Sequence, residues 1–400
     1  MTKKTLQVAP YITDIIARLQ EAGYETYVVG GAIRDLMLGR EPKDYDISTS
    51  ATPEQVKDVF GRRRARIIGR RFKLVHLYQG MEIIEISTFR KMPEKSTKVP
   101  AKLKDQPVPE NMIFHDNEFG TSEEDAWRRD FTVNALFYDP VSHKLIDHTK
   151  SGLDDINNGI VRAIGDASLR FEEDPVRMLR ALKLVGQYGF KLCPETEASL
   201  RECLPLITHA AESRLTLELE KILQSIHSAK ILSSFYQYGF LSYFLPFLHH
   251  NWNTPAREYV MELLEERNNR VIQGRYRVSV SLAVAAITLP FAEMLVGLGE
   301  KGKLWEYSPE TNDRICNLVS EVFRPHNLVK RLVFSAQRIL LMQTAFLHFQ
   351  KTSKVISMQG YAHARELLMI QNAVTWHSKE LPIKWPHEIH HATHHSGKSR

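Results

Sequence analysis

Asp44 and Asp46, in Lys-Asp-Tyr-Asp-Ile, fall in a segment, 44–48, whose residue types predict a β-strand. Residues two apart on a strand point to the same face, so the two carboxylates project together. Adjacent anions repel unless a cation compensates them. Hard carboxylate oxygens suit magnesium, which also takes waters and substrate phosphates into its octahedron. The substrate class that fits is a nucleoside triphosphate with its metal. An isolated Asp-x-Asp string is common, and in a turn it does no more than cap local backbone. Here Gly30 and Gly31 lie just upstream, between a predicted strand, 25–29, and a predicted helix, 32–38. Without a Cβ, main-chain N–H groups can approach phosphate oxygens there, and a helix start favours anions.

Phosphoryl transfer of this kind also needs a carboxylate near the attacking hydroxyl. Two residues qualify: Glu85, in a predicted hairpin strand, and Asp130, which closes the charged run 123–130. Residue types alone leave that choice open, and the run would otherwise be a solvated helix with paired charges. Asp174 and Arg177 stand at i and i+3, the spacing of neighbours on one helical face. A carboxylate acceptor beside a guanidinium donor complements the amino and ring-nitrogen edge shared by adenine and cytosine, and excludes guanine and uracil. Such a pair selects A or C without choosing between them.

The stretch 28–55, Val-Val-Gly-Gly-Ala-Ile-Arg-Asp through Lys-Asp-Tyr-Asp to Thr-Pro-Glu-Gln, resembles the signature of the class II nucleotidyltransferase family, which contains bacterial poly(A) polymerases and CCA-adding enzymes. That resemblance implies an α+β fold: a polymerase-β-like nucleotidyltransferase head of mixed sheet and helices, followed by an elongated helical neck, body and tail. It implies that Gly30, Gly31, Arg34 and Asp35 hold the nucleotide and that Asp44 and Asp46 bind two Mg²⁺ ions. Residues 128–136 resemble the family's Arg-Arg-Asp motif, which adds Arg128 and Arg129 to the nucleotide site and ranks Asp130 ahead of Glu85. Residues 171–180 resemble its Glu-Asp-x-x-Arg motif, which assigns Asp174, Arg177 and Arg180 to the incoming nucleotide; Gly152, Asp154, Gly159 and Gly165 resemble the stretch before it.

Residues 67–77 look like the stretch that marks bacterial poly(A) polymerases. Arg70, Arg71 and Lys73, otherwise a basic hairpin edge that resists aggregation, then become RNA contacts. The basic stretch 324–338, with Lys330, Arg331 and Arg338, resembles the RNA-binding part of those enzymes. The implied activity is template-independent transfer of AMP from ATP to RNA 3′ ends, with CCA addition to tRNA as the rival enzyme reading and a non-catalytic RNA-binding protein of the same fold as the rival of another class. The implied partners are RNA 3′ ends, ATP and RNA-decay proteins. The relatives often end in a strongly basic tail, whereas this chain ends in a short His-rich one with His387, His390, His391, His394 and His395.

These motifs need elements to hold them. The chain has 400 residues, 43% hydrophobic and 25% charged, enough for several packed units. Its formal charge of +6 favours polyanionic partners. Residues 8–22 carry Ile12, Ile15, Ile16 and Leu19 at helical spacing, and Thr52-Pro53-Glu54-Gln55 predicts a capping box. Residues 66–78 and 82–89 predict a hairpin, and 91–118 a flexible loop rich in Pro and Lys. From about residue 174 helical periodicity dominates. The expected organisation is a catalytic head over 1–150, a base-recognition neck over 151–215, a helical RNA-binding body over 216–380 and a polar tail over 381–400. Cys193, Cys203 and Cys316 show no Cys-x-x-Cys spacing. With no apolar leader or spanning segment, these features predict a cytoplasmic, monomeric protein with reduced thiols and no membrane partner.

Overall fold

The computed structural model describes residues 6–69, 73–92, 118–252, 254–298, 300–347 and 352–387. Arg70, Arg71, nearly all of the expected loop 91–118 and the last four histidines of the tail lie outside the described residues. The chain forms two compact units, Met1–Ala210 and Ala211–Arg400.

The first unit is built on a seven-stranded mixed sheet. Helix α1 (Pro10–Glu21) has proline in its first turn and buries Ile12, Ile15, Ile16 and Leu19 along one face. Strand β1 (Thr26–Val29), helix α2 (Gly31–Met37), strand β2 (Asp46–Thr49) and helix α3 (Pro53–Phe60) follow. The expected capping box forms at α3: the Thr52 side chain accepts from Gln55 N and the Gln55 side chain from Thr52 N. Three strands, β3 (Ala65–Ile68), β4 (Leu74–Gln79) and β5 (Glu82–Thr88), stand where two were expected. Helix α4 (Ser122–Trp127) and the hairpin β6 (Leu136–Asp139) and β7 (Lys144–Asp147) complete the head.

The strand order is β3-β4-β5-β2-β1-β6-β7. Only the β2–β5 pair is parallel; the others are antiparallel. One core cluster joins Val29, Phe89, Ala126, Phe137 and Ile164. Phe137 meets Tyr27 and Phe89 edge to face, with ring centroids 5.9 and 6.3 Å away, while Tyr27 and Phe89 stack.

Residues 151–210 pack into this same unit. Helix α5 (Gly152–Asn158), strand β8 (Ile160–Val161), helices α6 (Ala167–Glu173) and α7 (Val176–Tyr188), strand β9 (Lys191–Leu192) and helix α8 (Pro194–Cys203) make up the segment. Strands β8 and β9 form a small parallel pair that the sequence reading did not foresee; two residues are too short for a periodic signal. Main-chain bonds from Thr132 N to Arg162 O (3.0 Å) and from Ile164 N to Asp130 O (3.2 Å) sew the segment to the motif that ends α4. Buried Asp155 seals the same seam, accepting from the Thr132 hydroxyl at 2.6 Å and from Arg162 Nε at 3.1 Å.

The second unit is helical. Its central helix, Val280–Leu295, is apolar on every side, and its residues 280–293 are all buried. Helices Glu212–Gln224, Thr254–Ile272, Pro309–Val322, Lys330–Leu341 and Tyr361–Gln371 pack around it. Charge inside this unit is tied down: Arg270 grips Glu366 through two contacts of 2.5 and 2.9 Å, and Arg267 donates to Leu223 O and Ser225 O at the end of Glu212–Gln224. Among the described residues no helix is long and apolar enough to cross a membrane.

Glu293, on the central helix, has only partial compensation. Burial pushes its carboxyl from 4.5 up to about 8, against hydrogen bonds from Gly302, Tyr259 and Gln371. The folded state therefore binds more protons than the unfolded chain between those values, and stability falls as pH rises through the window. Glu293→Gln should raise the thermal midpoint near pH 8.5 and change it little near pH 4.5, by roughly 2–4 °C for each kcal/mol recovered; calorimetry at the two pH values tests this, and a smaller gain at high pH than at low contradicts it.

Candidate active site

Strand β1 ends at Val29, and Gly30 turns the chain into α2 with φ 75° and ψ −136°, a left-handed conformation that favours glycine. The demand for glycine is conformational rather than steric, since a Cβ there would meet its neighbours only at ordinary van der Waals distance. A Cβ on Gly30 would stand 3.4 Å from Arg129 Nη1 and 4.0 Å from Asp46 Oδ2, so the glycine, the guanidinium and the carboxylate converge at one point.

Strand β2 begins at Asp46, and Asp44 lies just before it, so the expectation of a strand over 44–48 is corrected at its first two residues. Asp44 is nonetheless close enough for its charge to act on Asp46. In the sheet register Asp46 stands opposite Glu85, Glu85 opposite His76, and His76 opposite Arg66. Opposed residues share a face, so a polar row crosses four strands; His76 Nε2 lies 3.4 Å from Glu85 Oε1.

Asp46 is open to solvent by accessible area, yet protein crowds it densely enough for burial to be the largest influence on its proton. The floor of an open concavity satisfies both observations. Burial, then the charge of Asp44, then that of Glu85 push the carboxyl from 3.8 up to about 6, while Arg129 opposes them.

Arg129 is held for this task by Asp125, which is buried one turn earlier and takes Arg129 Nη2 at 2.8 Å and Arg128 Nε at 2.9 Å. Burial alone would raise the Asp125 carboxyl, but the two guanidiniums outweigh it and hold it below the usual carboxylate range. Arg129 also donates to Ser48 Oγ at 3.3 Å and lies 5.2 Å from the Phe137 ring centroid.

A second network frames the glycine turn. Arg34 Nη1 donates to Asn134 Oδ1 at 2.6 Å, and Arg34 Nη2 to Asp35 Oδ1 at 2.9 Å and to the Tyr188 hydroxyl at 2.6 Å. That hydroxyl donates to Asp35 Oδ1 at 2.7 Å, and the Tyr188 ring is flanked by the Arg34 and Arg40 guanidiniums. Asp130 accepts from its neighbour Phe131 N at 2.8 Å and from Asn134 Nδ2 at 3.1 Å, with Arg180 Nη1 3.7 Å away. The sheet register thus places Glu85 beside Asp46, while Asp130 is engaged by Asn134 and Arg180.

Asp174 and Arg177 do not share a helical face. Helix α6 ends at Glu173, and Asp174 is extended (φ −149°, ψ 93°), as a residue before proline prefers. Its side chain accepts from Val176 N at 3.3 Å. Arg177 Nη1 instead donates to Glu173 Oε2 and Arg170 O, both at 2.8 Å. Lys73 is exposed and 3.7 Å from Glu54 Oε1; Lys330 and Arg331 open a helix of the second unit with exposed side chains.

Among the described residues no three His, Cys, Asp or Glu side chains form a cluster able to hold a metal ion unaided. The donors at Asp44, Asp46 and Glu85 are hard oxygens whose mutual repulsion is evident at Asp46. That set fits a divalent ion that completes its shell with water and substrate oxygens.

Residues 26–162 match the poly(A) polymerase head domain, and 189–251 match a probable RNA- and SrmB-binding site of polymerase A. Poly(A) polymerase I of Haemophilus influenzae is 35% identical over 344 residues, covering 83% of this chain and 74% of its own. Poly(A) polymerase I of Escherichia coli O6:H1 is 32% identical over 379 residues, covering 93% and 80%. The chain belongs to the class II nucleotidyltransferase family of poly(A) polymerases and CCA-adding enzymes. As a member it is an enzyme, a nucleotidyltransferase. A CCA-adding enzyme of a Geobacillus species is 38% identical over 258 residues, covering 64% of this chain and 60% of its own. The solved CCA-adding enzyme of Bacillus stearothermophilus in complex with CTP superposes with a TM-score of 0.65 at 25% identity, covering 94% of this chain and 83% of that one.

Within the first unit, sequence reasoning missed Asp125, Asn134, Tyr188, Arg170, Glu173 and His76. Asp125 had a local signal, since it stands three and four residues before the two arginines. Tyr188 had none, being 154 positions from Arg34.

Two predictions follow from these networks. Tyr188→Phe removes a hydroxyl that serves Arg34 and Asp35 and should cost about 1–3 kcal/mol in urea unfolding; an unchanged midpoint contradicts the frame. Asp46 keeps its proton to about pH 6, so its charge lowers stability as pH rises from 3.8 through that value. In metal-free buffer at about pH 7.5, Asp46→Asn should melt no lower than the parent, and added Mg²⁺ should raise the parent's midpoint alone.

Proposed function

We propose that the chain adds AMP from ATP to RNA 3′-hydroxyl ends without a template. The observation that carries this reading is the convergence of Asp46 and Arg129 on Gly30, where β1 ends and β2 begins, with Glu85 of β5 opposite Asp46 in the sheet. Asp44 and Asp46, with Glu85 preferred to Asp130 as the third carboxylate, would hold two Mg²⁺ ions. Bound there, the ions supply charge stabilisation at the reacting phosphorus and ease ionisation of the 3′-hydroxyl.

The chain's own groups do the positioning. Gly30 and Gly31 admit the triphosphate close to the main chain, and Arg128 and Arg129 meet its negative oxygens. Arg34, Asp35 and Asp130, bound into the Asn134 and Tyr188 network, keep the turn and the arginines in place rather than contacting phosphate directly. Asp174 and the remaining N–H groups of Arg177 face the base, with Arg180 beside them. In the reaction the 3′-oxygen bonds to the α-phosphorus, the bond from that phosphorus to the bridging oxygen breaks, pyrophosphate leaves and the hydroxyl proton passes to solvent. Arg70, Arg71 and Lys73, and separately Lys330 and Arg331, are the proposed phosphate contacts of the RNA. In this reading the enzyme is a cytoplasmic monomer whose tails mark RNA for decay.

CCA addition has support of its own in the similarity to the CTP-bound enzyme and to the Geobacillus relative. The stretch 67–77 favours poly(A). Incubation with each labelled triphosphate, on oligo(A) and on tRNA lacking its end, separates the two: ATP incorporation alone on oligo(A) supports the proposal, and CTP incorporation on the tRNA replaces it with CCA addition. Asp44→Ala and Asp46→Ala should each reduce incorporation by at least roughly 10²-fold with the fold intact; retained activity contradicts the metal assignment.

A further inference from the structure

Arg170 carries a buried charge that no step above uses. Its side chain is 4% exposed, and it lies on α6 between two functional segments. Nη2 donates to Arg128 O at 2.5 Å and to Arg129 O at 2.7 Å. Nη1 donates to Glu173 Oε2 at 2.7 Å, and that same oxygen accepts from Arg177 Nη1 at 2.8 Å. The Arg170 main-chain carbonyl accepts from Arg177 Nη1 as well, at 2.8 Å. One guanidinium therefore grips the backbone of the arginine pair on one side and, through one carboxylate oxygen, the guanidinium of Arg177 on the other. Burial and the nearby charge of Arg177 lower the Arg170 side chain only to about 10, so it remains a cation at neutral pH.

We infer that Arg170, acting with Glu173, is a positioning residue that fixes the distance between the base-reading segment, Asp174 and Arg177, and the triphosphate-facing pair, Arg128 and Arg129. A triphosphate has a set span from base edge to α-phosphate, so a reader of the base selects a nucleotide only if it is held at a set place relative to the phosphate site. Asp174 is extended between α6 and α7, so neither helix by itself holds its carboxylate at a set place beside Arg177. Arg170 ties the segment in place with planar, fork-shaped donors that Lys cannot reproduce. The main-chain carbonyls of Arg128 and Arg129 are otherwise at the end of α4, where helical partners run out.

This inference rests on the proposed base-reading role of Asp174 and Arg177, and the experiment keeps the two apart. Incorporation into an RNA primer is measured with all four triphosphates for the parent, Arg170→Lys and Glu173→Gln, together with thermal midpoints and equilibrium binding of ATP and GTP without primer. The parent's ratio of ATP to CTP use reports on poly(A) against CCA addition. The ratio of ATP plus CTP to GTP plus UTP reports on Arg170.

The expected result is that this second ratio falls at least about tenfold in each folded variant, because kcat/KM drops for A and C while the poor use of G and U barely changes. The preference for binding ATP over GTP should narrow in parallel. A merely structural role would lower all four triphosphates by the same factor, and that outcome overturns the inference. If Arg170→Lys does not fold, Glu173→Gln decides alone, since a glutamine keeps the side-chain shape and removes the shared charge. An unchanged ratio in a folded Glu173→Gln also overturns it.

Discussion

Negative charge gathered where β2 and β5 begin to run side by side is the constraint around which the first unit is arranged. Asp46 lies in a concavity with Asp44 and Glu85 at hand, and its carboxyl holds a proton to about pH 6 for that reason. Arg129 relieves the repulsion only in part. A protein that keeps carboxylates so placed accepts a loss of stability at neutral pH, and sites of this kind mark chemistry. The relief that the side chains leave incomplete is of the kind a divalent cation supplies to hard carboxylate oxygens.

Much of the surrounding polar structure exists to keep one cation in place. Asp125 is buried, satisfied by three donors and held ionised, so Arg129 meets Asp46 with its geometry already set. The chain Arg180, Asp130, Asn134, Arg34, Asp35 and Tyr188 then ties helix α7 to the glycine turn. Arg170 and Glu173 tie the end of α6 to the end of α4. Buried polar groups are costly when half satisfied, and these networks confine the site to a single arrangement. The second unit solves a different problem. Its central helix is buried on all sides; among its buried charges Arg267 binds carbonyls and Arg270 and Glu366 bind one another, while Glu293 is only partly compensated.

Residue types and spacing reached a long way into this protein. The helix at residues 10–21, the capping box at Thr52 and Gln55, the glycine turn and the acidic pair are local features, each set by interactions within a few positions. The family resemblance was legible for the same reason, since its motifs are short runs that carry chemistry. Residue spacing misled at Asp174, where an i, i+3 interval suggested a helical face. Proline at 175 instead forced the preceding residue to extend and ended α6. Glu85 and Asp130 could not be ranked from spacing, because strand pairing between β2 and β5 is non-local, and it is that pairing which sets Glu85 against Asp46.

By itself, then, the sequence determined the longer elements, the presence of a glycine turn and an acidic pair, and the family to which the chain belongs. Only the tertiary structure decided that Glu85 stands opposite Asp46, which acid clamps Arg129, and that Tyr188 and Arg170 hold segments together. The physical reason is distance along the chain: Arg34 and Tyr188 are separated by 154 residues and Arg170 and Arg128 by 42. No periodicity or local propensity records such contacts, which form only when the sheet register and the packing of α6 and α7 bring their partners within hydrogen-bonding reach.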